Sequence, residues 1–124
     1  MNVVDSSGWL EYLADGPNAD FFAKSIIATT DLVVPTLSFY EVFKQVLQQR
    51  GEDEALQTVA LMQQGTIVEL SASLALSAAR ISLNDKLPMA DSVMLATARA
   101  YGATLWSQDS DFEKIAEVRY IKKK

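Results

Sequence analysis

The stretch LPMADSVMLATARAYGATLWSQD, residues 87–109, decides how this chain is read. Pro88 suits the first position of a helix, where its missing N–H costs nothing, and Gly102 suits the position just past a helix end. Between them runs a helical pattern to Tyr101, in which Asp91, Met94, Leu95 and Ala98 share one side at i, i+3, i+4 and i+7. Thr104-Leu105-Trp106-Ser107 then reads as a strand, with Asp109 two residues beyond its end. A carboxylate in a first helical turn gains about 0.3–1 kcal/mol from the helix dipole. That gain does not account for aiming Asp91 along an apolar stripe, so Asp91 is a functional candidate.

The same alternation extends to both sides. Asn2-Val3-Val4 is a short apolar strand ending at Asp5, and an amphipathic helix follows with Trp9, Leu10 and Leu13 to bury. Asp15-Gly16-Pro17-Asn18 is a turn, and a helix is expected from Asp20 to Ile27. Leu32-Val33-Val34, closed by Pro35, is the next strand; helices are expected over 37–49 and 52–63, with Gly51 as the stop between them. Thr66–Leu70 is a strand, Ser71 the N-cap of an alanine-rich helix reaching Asn84, 110–115 a short helix, and Val118–Ile121 an edge strand before a Lys122–Lys124 tail expected to fray. Short β-branched runs between helices predict an α/β fold, with a central parallel sheet flanked by helices on both faces. The crevice of such a fold lies beyond the carboxyl ends of its strands.

Length and composition set bounds on function. The 124 residues suit one domain with a sizeable core, and 49% apolar against 22% charged residues excludes a disordered chain. No cysteine is present, which removes disulfides and thiolate metal sites and favours a cytoplasmic protein; no apolar run is long enough to span a bilayer. No histidine is present either, which removes Ser-His triads and most zinc sites. Hydrolysis by this chain would need a carboxylate or an ion-activated water. Removing four carboxylates from the net charge of −5 leaves −1, so the acidity of the chain can belong to a site rather than to its whole surface.

Asp5, Glu41, Asp91 and Asp109 all map to strand ends or helix starts, which share one rim in a βα-alternating fold. Four carboxylates in one pocket repel unless a hard cation such as Mg²⁺ or Mn²⁺ neutralises them. Each acid also has a plainer reading. Asp5 and Asp109 could cap helices, and Glu41 completes a capping box with Ser38 on a polar face shared with Lys44, Gln45 and Gln48. Asp111 is a further candidate, as an outer ligand. Ser7 and Ser107 could bond the carboxylates, although turn hydroxyls more often cap backbone.

With these residues in place the sequence resembles the PIN-domain family, and within it the VapC-type toxins of toxin–antitoxin pairs. The resemblance runs through Val3-Val4-Asp5-Ser6-Ser7, Trp9-Leu10-Glu11-Tyr12-Leu13, Ser38-Phe39-Tyr40-Glu41-Val42, residues 87–98 and Leu105-Trp106-Ser107-Gln108-Asp109-Ser110-Asp111-Phe112. It implies a PIN fold and a Mg²⁺- or Mn²⁺-dependent endoribonuclease with its acidic positions at Asp5, Glu41, Asp91 and Asp109. It also implies a homodimer and an antitoxin partner whose tail lies across the acidic groove. Ser107 stands where threonine is frequent in the family, and Trp106 is bulkier than the usual aliphatic residue. Basic residues available to hold RNA are Lys44, Arg50, Arg80, Lys86, Arg99 and the Lys122–Lys124 tail.

Three rivals are weighed on residues. A phosphoacceptor signalling domain needs a lysine beside the late strand, where this chain has Ser107-Gln108-Asp109; a haloacid-dehalogenase-type phosphatase needs an acid at position 7, which is Ser. A non-catalytic partner-binding module on the same fold has no use for a complete acidic set.

Overall fold

The computed structural model describes all of residues 1–124, and its sheet is parallel throughout. Strand β1 (Asn2–Val4) pairs with β4 (Thr104–Ser107), which pairs with β5 (Arg119–Tyr120); β2 (Val33–Pro35) pairs with β3 (Thr66–Val68). A parallel bridge between Asn2 and Leu32 joins the two ladders, so the strand order is β5-β4-β1-β2-β3. From β1 the chain steps to β2 and β3 in one direction, then crosses back to β4 and β5. The switch in direction falls between β1 and β4, where open α/β sheets keep their ligand crevice.

The helices follow from this path. Helices α1 (Ser6–Leu13), α2 (Ala19–Ile27), α3 (Thr36–Arg50) and α4 (Glu52–Met62) connect the strands in the first direction, whereas α5 (Ala72–Asp85) and α6 (Met89–Ala100) connect β3 to β4 in the return direction. Right-handed crossovers of opposite direction place their helices on opposite faces. The core is accordingly split by the pleat. Val4, Val34, Trp9, Phe22, Ile26, Val42 and Met62 pack on one side of the sheet; Val3, Val33, Leu105, Ile81, Met94, Leu95 and Phe112 pack on the other. Each large side chain buried in this way contributes about 1.5–3 kcal/mol.

Several elements end where the local chemistry dictates. Gly51 takes φ +92°, a conformation that a side chain would strain, and separates α3 from α4. Ser71 caps α5 by accepting from the Leu74 N–H at 3.2 Å. Other elements differ from the sequence expectation. Helix α3 begins at Thr36 with Pro35 at its N-cap, so Ser38 lies inside the helix and its hydroxyl points to the Met94 sulfur at 3.5 Å. The expected Ser38–Glu41 capping box is therefore absent. Residues 110–115 form only a 3-10 turn over Ser110–Phe112, and β3 stops at Val68. The Lys122–Lys124 run starts anchored rather than frayed: the Ile121 N–H donates to the Ser107 carbonyl at 3.0 Å, and the Lys122 carbonyl accepts from Asn18 Nδ2 at 3.1 Å. No helix is long and apolar enough to cross a membrane.

Candidate active site

The switch point carries the acids because of chain direction alone. Asp5 directly follows β1, and Asp109 lies two residues past β4. Helix α6 runs antiparallel to the strand it precedes, so its first turn, with Asp91, returns to the same rim. Helix α6 is buried continuously from Ser92 to Ala98, with the sheet on one side and α5 on the other, so Asp91 stands on a rigid support.

Asp5 is 3% exposed and saturated with donors. Its Oδ1 accepts from Ser7 Oγ at 2.8 Å and from the Gly8 N–H at 2.9 Å, and its Oδ2 accepts from Ser107 Oγ at 2.5 Å. The Ser107 hydroxyl in turn accepts from the Asp109 N–H at 2.9 Å. One hydroxyl thus ties the end of β1 to the loop after β4. Burial pushes the Asp5 carboxyl up to about 6, against the lowering effect of its hydrogen bonds. Asp5 does cap α1, and Ser7 and Ser107 both donate to its carboxylate, Ser107 while also capping the Asp109 N–H. Gly8 makes the arrangement possible, since a Cβ there would meet the Phe22 ring and Val4 Cγ1 at 2.7 Å.

The carboxylate oxygens of Asp91, Asp109 and Asp111 lie within 4.8 Å of one another. Asp109 Oδ1 accepts from the Asp111 N–H at 2.9 Å, and the tight 3-10 turn is what swings Asp111 back toward α6. Burial pushes Asp91 up to about 8, reinforced by a hydrogen bond with Asp111 and by the negative charge of Asp109, Asp111 and Asp5. Two acids in such contact share a proton when no cation is present. The donor set is all carboxylate oxygen, half-buried at Asp91 and Asp109 and open at Asp111, which suits a hard divalent ion that keeps part of its water shell.

Asp5 and Glu41 lie outside that close triad. Asp5 reaches Asp91 and Asp109 through charge, and through the Ser107 link. Glu41 is half-buried on α3 and accepts from Ser6 Oγ at 2.6 Å, so its partner comes from α1 and not from its own helix. Ser6, which carries no periodic or motif signal of its own, positions it. Lys44 lies over the Tyr40 ring at 5.6 Å rather than pairing with Glu41, and the ion pairs of the protein are Arg50–Glu54 and Arg99–Glu117.

A parallel α/β domain with an acid-lined crevice at its switch point is the class of protein defined by this geometry. The PIN domain family model matches residues 3–118, and the chain belongs to that family. No curated protein sequence matches it. Solved structures do. A toxin–antitoxin complex from Klebsiella pneumoniae superposes with a TM-score of 0.81 at 17% identity, covering 95% of each chain. VapC20 of Mycobacterium tuberculosis, a toxin that cleaves the sarcin–ricin loop, gives 0.78 at 16% identity over 99% of this chain and 100% of its own. The DNA-bound VapBC of Salmonella typhimurium gives 0.75 at 11% identity over 98% and 97%. At these identities the likeness is one of fold.

Proposed function

We propose that this protein is a metal-dependent endoribonuclease that hydrolyses RNA phosphodiester bonds, and the toxin member of a toxin–antitoxin pair acting in the cytoplasm. The observation that carries the reading is the convergence of Asp91, Asp109 and Asp111 within 4.8 Å at the sheet's switch point, on a chain of the PIN family. Asp91, Asp109 and Asp111 would hold a Mg²⁺ or Mn²⁺ ion, with Asp5 and Glu41 completing the acidic set around it. When bound, such an ion would supply Lewis acidity toward the scissile phosphate and charge for the leaving oxygen. Asp91 would hold the ion as a carboxylate, releasing the proton that its contact with Asp111 favours in the metal-free protein. Asp5, locked by Ser7, Gly8 and Ser107, stays fixed as charge builds on the phosphate. Glu41, held by Ser6, would be the group that accepts a proton from the attacking water.

The partners belong to the same proposal. An apolar groove of about 800 Å³ between α5 and α6 includes Leu83 and Met89, which are 82% and 74% exposed. A second copy of the chain is the proposed cover for this face, and a cognate antitoxin the proposed occupant of the acidic groove. The catalytic reading is tested by incubating total RNA with purified protein in Mg²⁺ or Mn²⁺, beside Asp91→Asn. Discrete products that disappear both in the variant and in excess chelator are expected. Cleavage that persists in chelator would remove the metal from the mechanism, and equal cleavage by Asp91→Asn would move the site elsewhere.

A further inference from the structure

A second feature of the same rim is an open cavity of about 670 Å³ lined mainly by α1, α3 and α4. That volume lies within the range of small-ligand sites. Ser7 and Gln108 line its end nearest the acids: Ser7 bonds Asp5, and Gln108 is the residue between Ser107 and Asp109. Glutamines of α3 and α4 line its walls, offering amide donors and acceptors rather than an apolar surface.

Four charged side chains also reach the cavity, and three of them are engaged. Arg50 pairs with Glu54, and Glu11 accepts from the Asn18 N–H at 2.7 Å. Lys123 has no carboxylate within ion-pair distance. Its position is set from the interior. Strand β5 is parallel to its neighbours and ends at this rim, so the Lys122-Lys123-Lys124 run emerges beside the acids. Asn18, 2% exposed, donates one amide hydrogen to the Lys122 carbonyl at 3.1 Å and one to Gln108 Oε1 at 3.0 Å. Its Oδ1 has no partner, so the residue is used here as a double donor. Gln108 in turn donates to the Ser7 carbonyl at 3.4 Å. A chain of amides therefore fixes the backbone at Lys122, next to Lys123, relative to the carboxylates.

Resting on the ribonuclease reading above, we propose that the cavity takes a segment of single-stranded RNA leading away from the acidic cluster, and that Lys123 holds its phosphodiester backbone. The glutamines would meet base edges or sugar hydroxyls, while a point-charge ammonium suits the backbone. Acidic walls at the cleavage point need such a cation nearby, because carboxylates repel the flanking phosphates.

The test is binding of a labelled single-stranded RNA of about 12 nucleotides. The full-length Asp91→Asn chain is used with Mg²⁺, so that no cleavage intervenes. Each phosphate contact on a single strand adds about 0.7 to the slope of log affinity against log salt, equivalent to about fivefold in affinity near 0.1 M salt. Lys123→Ala is expected to bind about fivefold more weakly with a slope shallower by about 0.7. Lys123→Arg should retain binding. Lys24→Ala is the control, since Lys24 sits in the last turn of α2, at the opposite rim of the sheet. Unchanged affinity and slope in Lys123→Ala, with RNA still bound by the parent, would overturn the inference, leave the ribonuclease reading standing and give the cavity to another occupant such as a protein partner. Failure of the parent chain to bind RNA would overturn both.

Discussion

Asp5→Asn is the substitution whose consequence can be worked furthest from the structure. The Asp5 carboxyl is buried and raised from 3.8 to about 6. Between those values the native state holds a proton that the unfolded chain has released, so the stability of the wild type falls as pH rises through that window. A shift of about two units corresponds to about 3 kcal/mol in total, of which about 2 kcal/mol is lost between pH 4.5 and pH 7.5. Asparagine has no proton to lose. Its Oδ1 can keep the Ser7 and Gly8 donors, and its Nδ2 can donate to Ser107 Oγ, whose own hydrogen turns away. That exchange costs on the order of 1 kcal/mol, independent of pH. The variant also removes a negative charge from beside Asp91, which shifts the balance in the same direction. Urea denaturation of both proteins in chelator, across that pH range, is the assay. The variant should gain about 2 kcal/mol on the wild type from pH 4.5 to pH 7.5 while losing cleavage. A stability difference that is constant with pH, or that moves against the variant as pH rises, would show that burial does not govern Asp5.

Two further outcomes follow from the same geometry. Gly8→Ala should destabilise the fold by about 1–3 kcal/mol in thermal or urea unfolding, because its Cβ would press on Phe22 and Val4 at 2.7 Å; a neutral result would mean that α1 can lift from the sheet without loss. Uptake of Mg²⁺ should release a proton near neutral pH, since Asp91 in the metal-free protein is raised to about 8. Calorimetry in buffers of different ionisation enthalpy should show this release, with affinity falling by up to about tenfold per unit of pH below 8. Binding independent of pH from 6 to 9 would contradict it.

Much of the fold was legible because its signals are local. Pro88 and Gly102 bracket α6, Gly51 separates α3 from α4, and the apolar pairs Val3-Val4 and Val33-Val34 supply one residue to each face of a buried strand. The placement of Asp5, Asp91 and Asp109 on one rim followed from helix–strand alternation alone. The close relations within that rim were not legible. Ser107 meets Asp5 across 102 residues of sequence, a contact that exists only because β1 and β4 are neighbours. Glu41 fitted a capping box, but α3 starts at Thr36, and the partner of Glu41 comes from another helix. Asp111 read as an outer ligand at most, since an acid in a first helical turn is commonplace; the tighter 3-10 turn is what brings it into the triad. Asn18 and Gln108 carried no periodicity at all, and their value lies in amide bonds to distant backbone.

The hydroxyl that joins Ser107 to Asp5 bears on the timing of biosynthesis. Strand β4 lies between β1 and β5 in the sheet, yet it is made after every helix and all but one of the other strands. A nascent chain carries Asp5 from the outset, but has no neighbour for β1 on that side, no Ser107 to hold the carboxylate and no Asp109 or Asp111. The crevice is assembled only after β4 and the turn that follows it have been made. Until β4 slots in beside β1, the chain carries a half-built rim whose one aspartate has neither its hydroxyl partner nor its fellow acids, so the order of the strands keeps the crevice from forming piecemeal.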